Sequence, residues 1–194
     1  MVGPTTFGYQ NLGFASGGAV AAGSLELIAE ASFSGTANVQ IQDIKEDLYD
    51  VHFFHVEFTG EHQGQTVFLD MSVDGGSSYI TDDFMYAKKR INTDSSGTLL
   101  GSADLYGIVL YQSVDNNNGA LAQGYIYHAG DSSKHTFYSG QSYGREGGDD
   151  GDFTYEQGGG VRPAADVVNC IRFYPHTGNM AGKYKIFGVK KAWV

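Results

Sequence analysis

The chain has 194 residues, 41% of them hydrophobic, with 28 glycines and three prolines, which is enough for one domain with a sizeable core. A formal charge of −10 creates a field that repels phosphate and excludes DNA or RNA binding by counterion release. The one cysteine, Cys170, excludes an intrachain disulfide, and beside Val167, Val168, Ile171 and Phe173 it reads as a small buried hydrophobe rather than a nucleophile.

Abundant glycine, 13 Tyr and 12 Phe, without long runs of Ala, Leu, Glu and Lys, predict an all-β fold of many strands and tight turns with little helix. Residues 1–23 lack the basic start and unbroken apolar run of a secretory signal. Gly13, Gly17, Gly18 and Gly23 interrupt any membrane-spanning stretch, so the segment reads as a flexible or docking N-terminal arm with no membrane insertion.

A single β-sandwich domain is expected over residues 24–194, with no internal repeat, coiled-coil heptad or linker. Its first two strands fall at residues 24–33 and 38–44, where Val39 and Ile41 share a side. Residues 48–58 and 65–73 give longer runs, with Val67, Leu69 and Met71 inside, and are expected to pair as the heart of the sheet. Asp74-Gly75-Gly76-Ser77-Ser78 reads as a hairpin corner continuing into Tyr79-Ile80, with Gly supplying positive φ and the Asp74 carboxylate accepting from amides ahead of it. Strands follow at residues 84–91, 99–110 and 124–128. Residues 131–160, rich in Ser, Gly, Asp and Gln, read as long surface loops around one or two short strands. Residues 167–174 form the next strand, and a Gly178-Asn179 corner leads to the last. There Tyr184, Ile186 and Gly188 fall on one side, and Lys183, Lys185 and Phe187 on the other, the period of a sheet with one wet face.

The stretch Ser72-Val73-Asp74-Gly75-Gly76-Ser77-Ser78-Tyr79, the strand Asn169-Cys170-Ile171-Arg172-Phe173-Tyr174 and the ending from Gly178 to Lys190 together resemble a jelly-roll-like module of structural proteins in tailed bacteriophages, especially marine ones. The resemblance covers most of the chain after the arm, and its motifs specify architecture rather than activity. It implies a jelly-roll-like antiparallel β-sandwich that serves as a capsid decoration or knob-like protein, or as the globular tip of a tail fibre or appendage. The chain has no room for a fibre shaft, which favours decoration. The partners implied are capsid or other virion proteins at the virion surface, after synthesis in the host cytoplasm, with a homotrimer or other homo-oligomer as the assembly.

Candidate sites weigh against that background. Ser72-x-Asp74-x-Gly76-x-x-Tyr79 approximates the Asp-box turn of sialidase-like propellers, but it occurs once and ends in Tyr. His52, His55 and His62 are close in sequence, yet positions 52 and 55 of a strand point to opposite faces, so no metal is expected. The acidic stretch from Glu146 to Asp152 has oxygen ligands for calcium but not EF-hand spacing, and Asp82-Asp83 is a weaker acidic pair; both read as solvated loops. With no nucleophile elbow, HExxH motif or phosphate loop, no catalytic residue and no cofactor are assigned. A carboxylate pair using Asp70 or Glu57 is the enzymatic alternative, as in a polysaccharide-degrading appendage. The rival class is a host-surface glycan binder, a lectin-like site of Tyr125, Tyr127, Tyr138, Tyr143 and Tyr155 with neighbouring Asn, Gln and Asp.

Overall fold

Alternation of β-branched and aromatic residues with polar ones produces twelve strands among the described residues of the computed structural model, which are 25–80, 83–94, 97–105, 107–146 and 151–190. The strands are β1 (Leu25–Thr36), β2 (Val39–Gln42), β3 (Tyr49–Gly60), β4 (Gln65–Ser72), β5 (Phe84–Asn92), β6 (Gly97–Leu105), β7 (Ile108–Val114), β8 (Ala120–Tyr127), β9 (Thr136–Arg145), β10 (Phe153–Arg162), β11 (Cys170–Pro175) and β12 (Met180–Lys190). No helix occurs among these residues. The expected arm at residues 1–23 lies outside them.

All pairings are antiparallel, in an eight-stranded sheet of order β1-β12-β3-β8-β9-β10-β5-β6 and a four-stranded sheet of order β2-β11-β4-β7. The protein is thus an all-β antiparallel sandwich. Eight strands are divided between the two sheets in jelly-roll order, β1-β12-β3-β8 facing β2-β11-β4-β7. The other four are two hairpins, β5–β6 between β4 and β7, and β9–β10 between β8 and β11, and both widen the larger sheet.

The core lies between the sheets. Val39, Ile41, Val67, Leu69, Met71, Ile108, Leu110, Ile171 and Phe173 come from the smaller sheet; Phe54, Val56, Phe58, Ala122, Ile126 and Ile186 come from the larger. The Phe54 ring lies 5.3 Å from that of Phe173, across the sandwich, and stacks at 5.9 Å on Tyr138. Along β12, Ile186 and Gly188 are buried, Tyr184 is half-buried, and Lys183 and Lys185 are exposed, as the alternation predicts. Cys170 is buried.

Three expectations are corrected. β3 and β4 do not pair: β3 sits between β12 and β8, whereas β4 sits between β11 and β7 in the opposite sheet. Both are strongly alternating, and periodicity alone does not say which neighbour each one takes. The Asp74 corner has the predicted chemistry, with Gly75 and Gly76 at φ 71° and 88°, and the Ser78 amide and hydroxyl donating to the Asp74 carboxylate at 2.9 and 2.6 Å. It is not a hairpin, however: Tyr79-Ile80 forms no strand, and the chain crosses to β5 in the other sheet.

Residues 131–160 are not mainly loop. They hold β9 and most of β10, ten-residue strands inside the larger sheet. Their glycines signal close packing rather than turns. Gly124, Gly140 and Gly158 are neighbours in register on β8, β9 and β10. The Tyr138 ring fills the space left at the first two: a Cβ at Gly124 would come within 2.5 Å of Tyr138 Cε2, and one at Gly140 within 2.4 Å of its hydroxyl, whereas at Gly158 it is Lys88 that comes close. Replacing Gly140 by Ala is expected to cost about 1–3 kcal/mol, read as a lower denaturant midpoint at unchanged slope.

Candidate functional site: the outer face of the large sheet

With the smaller sheet covering one side of the larger, the other side carries the odd-numbered residues of β3, β8, β9, β10 and β5. Cross-strand register sorts them into rows. One row runs Val51, Tyr127, Phe137, Val161 and Met85; the next runs Leu27, Phe187, Phe53, Tyr125, Ser139 and Gly159. A third sets Gln123, Gln141 and Gln157 side by side, and a fourth runs Leu121, Tyr143 and Tyr155.

The first two rows form an apolar belt. Leu25, Leu27, Met85, Tyr125 and Phe137 are between 41% and 49% exposed, far more than large apolar side chains on a covered face would be. Phe187, Phe53, Tyr125 and Tyr127 form an aromatic strip, with successive ring centroids 6.1, 5.1 and 6.2 Å apart. Beside the strip, a depression of about 510 Å³ is edged by ion pairs, Lys183 with Glu57 at 3.1 Å and Lys185 with Glu30 at 3.0 Å.

The glutamine row floors a second depression of about 500 Å³, bounded by Phe53 and Tyr125 on one side, with Ser139 and the backbone of Gly124, Gly140 and Gly158 completing its lining. The Tyr155 hydroxyl lies 3.0 Å from Gln141 Oε1 and 3.1 Å from Gln157 Oε1, so its one proton is shared between the two amides and ties both to the ring. No charged side chain lines this trough.

Directly beneath, on the inner side of the same strands, Lys88 Nζ donates to Glu156 Oε2 at 2.6 Å, with both side chains at most 5% exposed. Arg90 Nε stands 3.7 Å from Glu156 Oε1, and Arg90 also pairs with Glu146. The Ser142 hydroxyl donates to the Leu110 carbonyl at 2.7 Å. Burial pushes the Lys88 ammonium below its usual range, against the pull of Glu156. The pair anchors β10 to β5 and thereby fixes where Tyr155 and Gln157 emerge.

The residues singled out in the sequence are dispersed. Of the five tyrosines, Tyr125, Tyr127, Tyr143 and Tyr155 reach the outer face, but Tyr138 points inward and is buried in the core. It is thereby removed from the rival glycan site, because even-numbered β9 positions face the smaller sheet. His52 and His55 do fall on opposite faces: His52 is buried against the Ile44 carbonyl at 2.9 Å, and His55 meets Glu57 at 3.3 Å outside. Among the described residues, no three His, Cys, Asp or Glu side chains gather as metal ligands.

Asp70 on β4 is paired with Arg172, and Glu57 on β3 with Lys183 and His55. Burial pushes the Asp70 carboxyl up to about 6, although the Met71 amide and the Arg172 guanidinium, 2.7 Å away, both pull it down. The Arg172 guanidinium is itself held between the rings of Tyr79 and Tyr174, at 3.8 and 4.6 Å. Of the acidic stretch, Glu146 is bonded to Asn92 and Thr154, and Asp152 to Thr93, while residues 147–150 lie outside the described residues, as does Asp82. The glutamine row was missed by sequence reasoning. Its signal was the spacing of Gln141 and Gln157 about a hairpin, hidden by the reading of that hairpin as loop.

Compared with known proteins, the chain matches no family model, no curated protein and no solved structure.

Two predictions follow from these buried groups. Glu156→Leu strands the Lys88 charge and is expected to cost about 3–5 kcal/mol in chemical denaturation, whereas adding Lys88→Met restores most of that loss. For His52, burial lowers the imidazole from 6.5 to about 4, so the unfolded chain takes up the proton first. Stability from this group is complete above pH 6.5 and is lost as the pH falls toward 4. Between pH 7 and pH 5 the group's share of the loss is about 2 kcal/mol, measured as the part of the pH slope that disappears in His52→Gln.

Proposed function

We propose that this protein acts by contact, without chemistry of its own, as a surface component of a tailed-phage virion, and that it is a capsid decoration protein. The observation that carries the contact reading is the apolar belt: large side chains aligned across the strands of one sheet face, with none of the described residues packed over them. The phage assignment rests on the resemblance of the Asp74 corner and the terminal strand to the jelly-roll-like module of virion proteins, and the jelly-roll strand order supports it. Capsid or other virion proteins are the partners, and a homotrimer is the assembly that the resemblance implies.

The glutamine trough favours a second reading on the same face, attachment to host-surface carbohydrate at an appendage tip. The two readings place the protein differently on the particle but share the outer face as the working surface.

The belt is tested by Leu27→Glu combined with Phe137→Glu in the full chain, added to phage particles that lack the protein. Both positions are already exposed, so the doubly substituted protein is expected to keep the thermal stability of the unaltered chain. Its loading onto particles should fall at least about tenfold, the equivalent of 1.4 kcal/mol. Full loading by the folded variant would contradict the assignment of the belt as the contact surface.

A further inference from the structure

The outer face divides into two chemically different parts, and the trough is the part least suited to protein burial. Its floor is three amides in register on adjacent strands, with two of them tied to one hydroxyl. Burying these groups under an apolar partner would leave the amide donors and acceptors unsatisfied, at a cost of about 1–3 kcal/mol each. A ligand that covers them must therefore bring hydrogen-bonding groups of its own, and hydroxyls, which both donate and accept, suit both ends of an amide.

The walls ask for something else. Phe53 and Tyr125 present ring surface at the margin of the trough, and Tyr143 and Tyr155 stand in the row on its other side. A ligand with both demands met has hydroxyls around its edge and a C–H face for the rings, which is the chemistry of a pyranose. The lining itself carries no charge; Lys89 stands in register beyond Gln157 and His55 beyond Gln123, outside it, and the amides of the floor select no anion. From β3 across β8 and β9 to β10 the trough spans three strand intervals, about 14 Å, which is room for about three sugar rings.

We infer that the Gln123-Gln141-Gln157 trough binds a neutral glycan chain lying across the strands, with the amides hydrogen-bonded to its hydroxyls and Tyr125 stacked on a sugar face. The inference rests on the contact reading above and supplies the chemical class of the partner at this part of the face. The inserted hairpin β9–β10 provides two of the three amides and both flanking tyrosines of the fourth row, so the widening of the jelly-roll sheet is what creates the site.

The test is calorimetric titration of the full-length protein with cellohexaose, maltohexaose and mannohexaose, together with affinity electrophoresis in gels holding the matching neutral polysaccharides. At least one probe is expected to bind saturably. Gln141→Ala and Tyr155→Phe should weaken that binding by about fivefold to tenfold, with thermal stability near that of the unaltered chain. Leu27→Glu, outside the trough, should leave it unchanged. Absence of binding to every probe overturns the inference, as does binding that Gln141→Ala and Tyr155→Phe leave intact. Binding lost only in Leu27→Glu would assign the belt instead and also overturn it. The contact reading fails by a different outcome, the appearance of shortened chains after incubation with the polysaccharides, so the two are tested apart.

Discussion

A single buried ion pair holds the working surface in place. Lys88 and Glu156 meet at 2.6 Å on the inner side of β5 and β10, where neither charge has solvent to fall back on. Each requires the other, and a slip of β10 by one residue would carry Glu156 to the outer face and drive Gln157 or Tyr155 into the core. The register of an otherwise permissive strand, with Gly158, Gly159 and Gly160 in succession, is fixed by that penalty. What appears outside, a tyrosine and a glutamine on either side of Glu156, follows from what is satisfied inside.

The same economy explains why the two sheets differ in width. A jelly roll of eight strands makes two four-stranded layers, each covering the other. Here two hairpins are added to one layer only, and the inner surface they contribute, buried beside β7, is satisfied by the Lys88, Arg90, Glu156 and Ser142 network rather than by aliphatic packing alone. In exchange it gains a broad outer face of several rows. The rows are sorted by register into an apolar belt and an amide trough, two surfaces of different chemistry on a common frame.

How much of this was legible in the residues depends on what each segment buries. Where one face is apolar and the other wet, as in Tyr184, Ile186 and Gly188 against Lys183 and Lys185, alternation alone gave the strand and its inside. The corner at Asp74 was readable because Gly and Asp have specific turn chemistry. Sheet partners were not readable: β3 and β4 are equally regular, and only the long-range pairing decides that they face one another across the core. The hairpin β9–β10 was hidden for a physical reason, since a strand packed under Tyr138 needs glycine where strands normally carry side chains, and its outer positions carry Gln and Ser. The same composition is common in loops. With the hairpin unread, the glutamine row, which exists only across strands, had no way to show itself. Tyr138 illustrates the converse, a residue that looked available for sugar but whose even position commits it to the core.

The central claim is that this molecule meets its partner with the outer face of the eight-stranded sheet. Electron cryomicroscopy of the protein in its assembled state, on a phage particle, tests it most directly. The account predicts density from a neighbouring molecule against Leu27, Phe53 and Phe137. A reconstruction in which that face stands bare in solvent, with the protein held instead by its sheet edges or by the loop at Asp74, would contradict it.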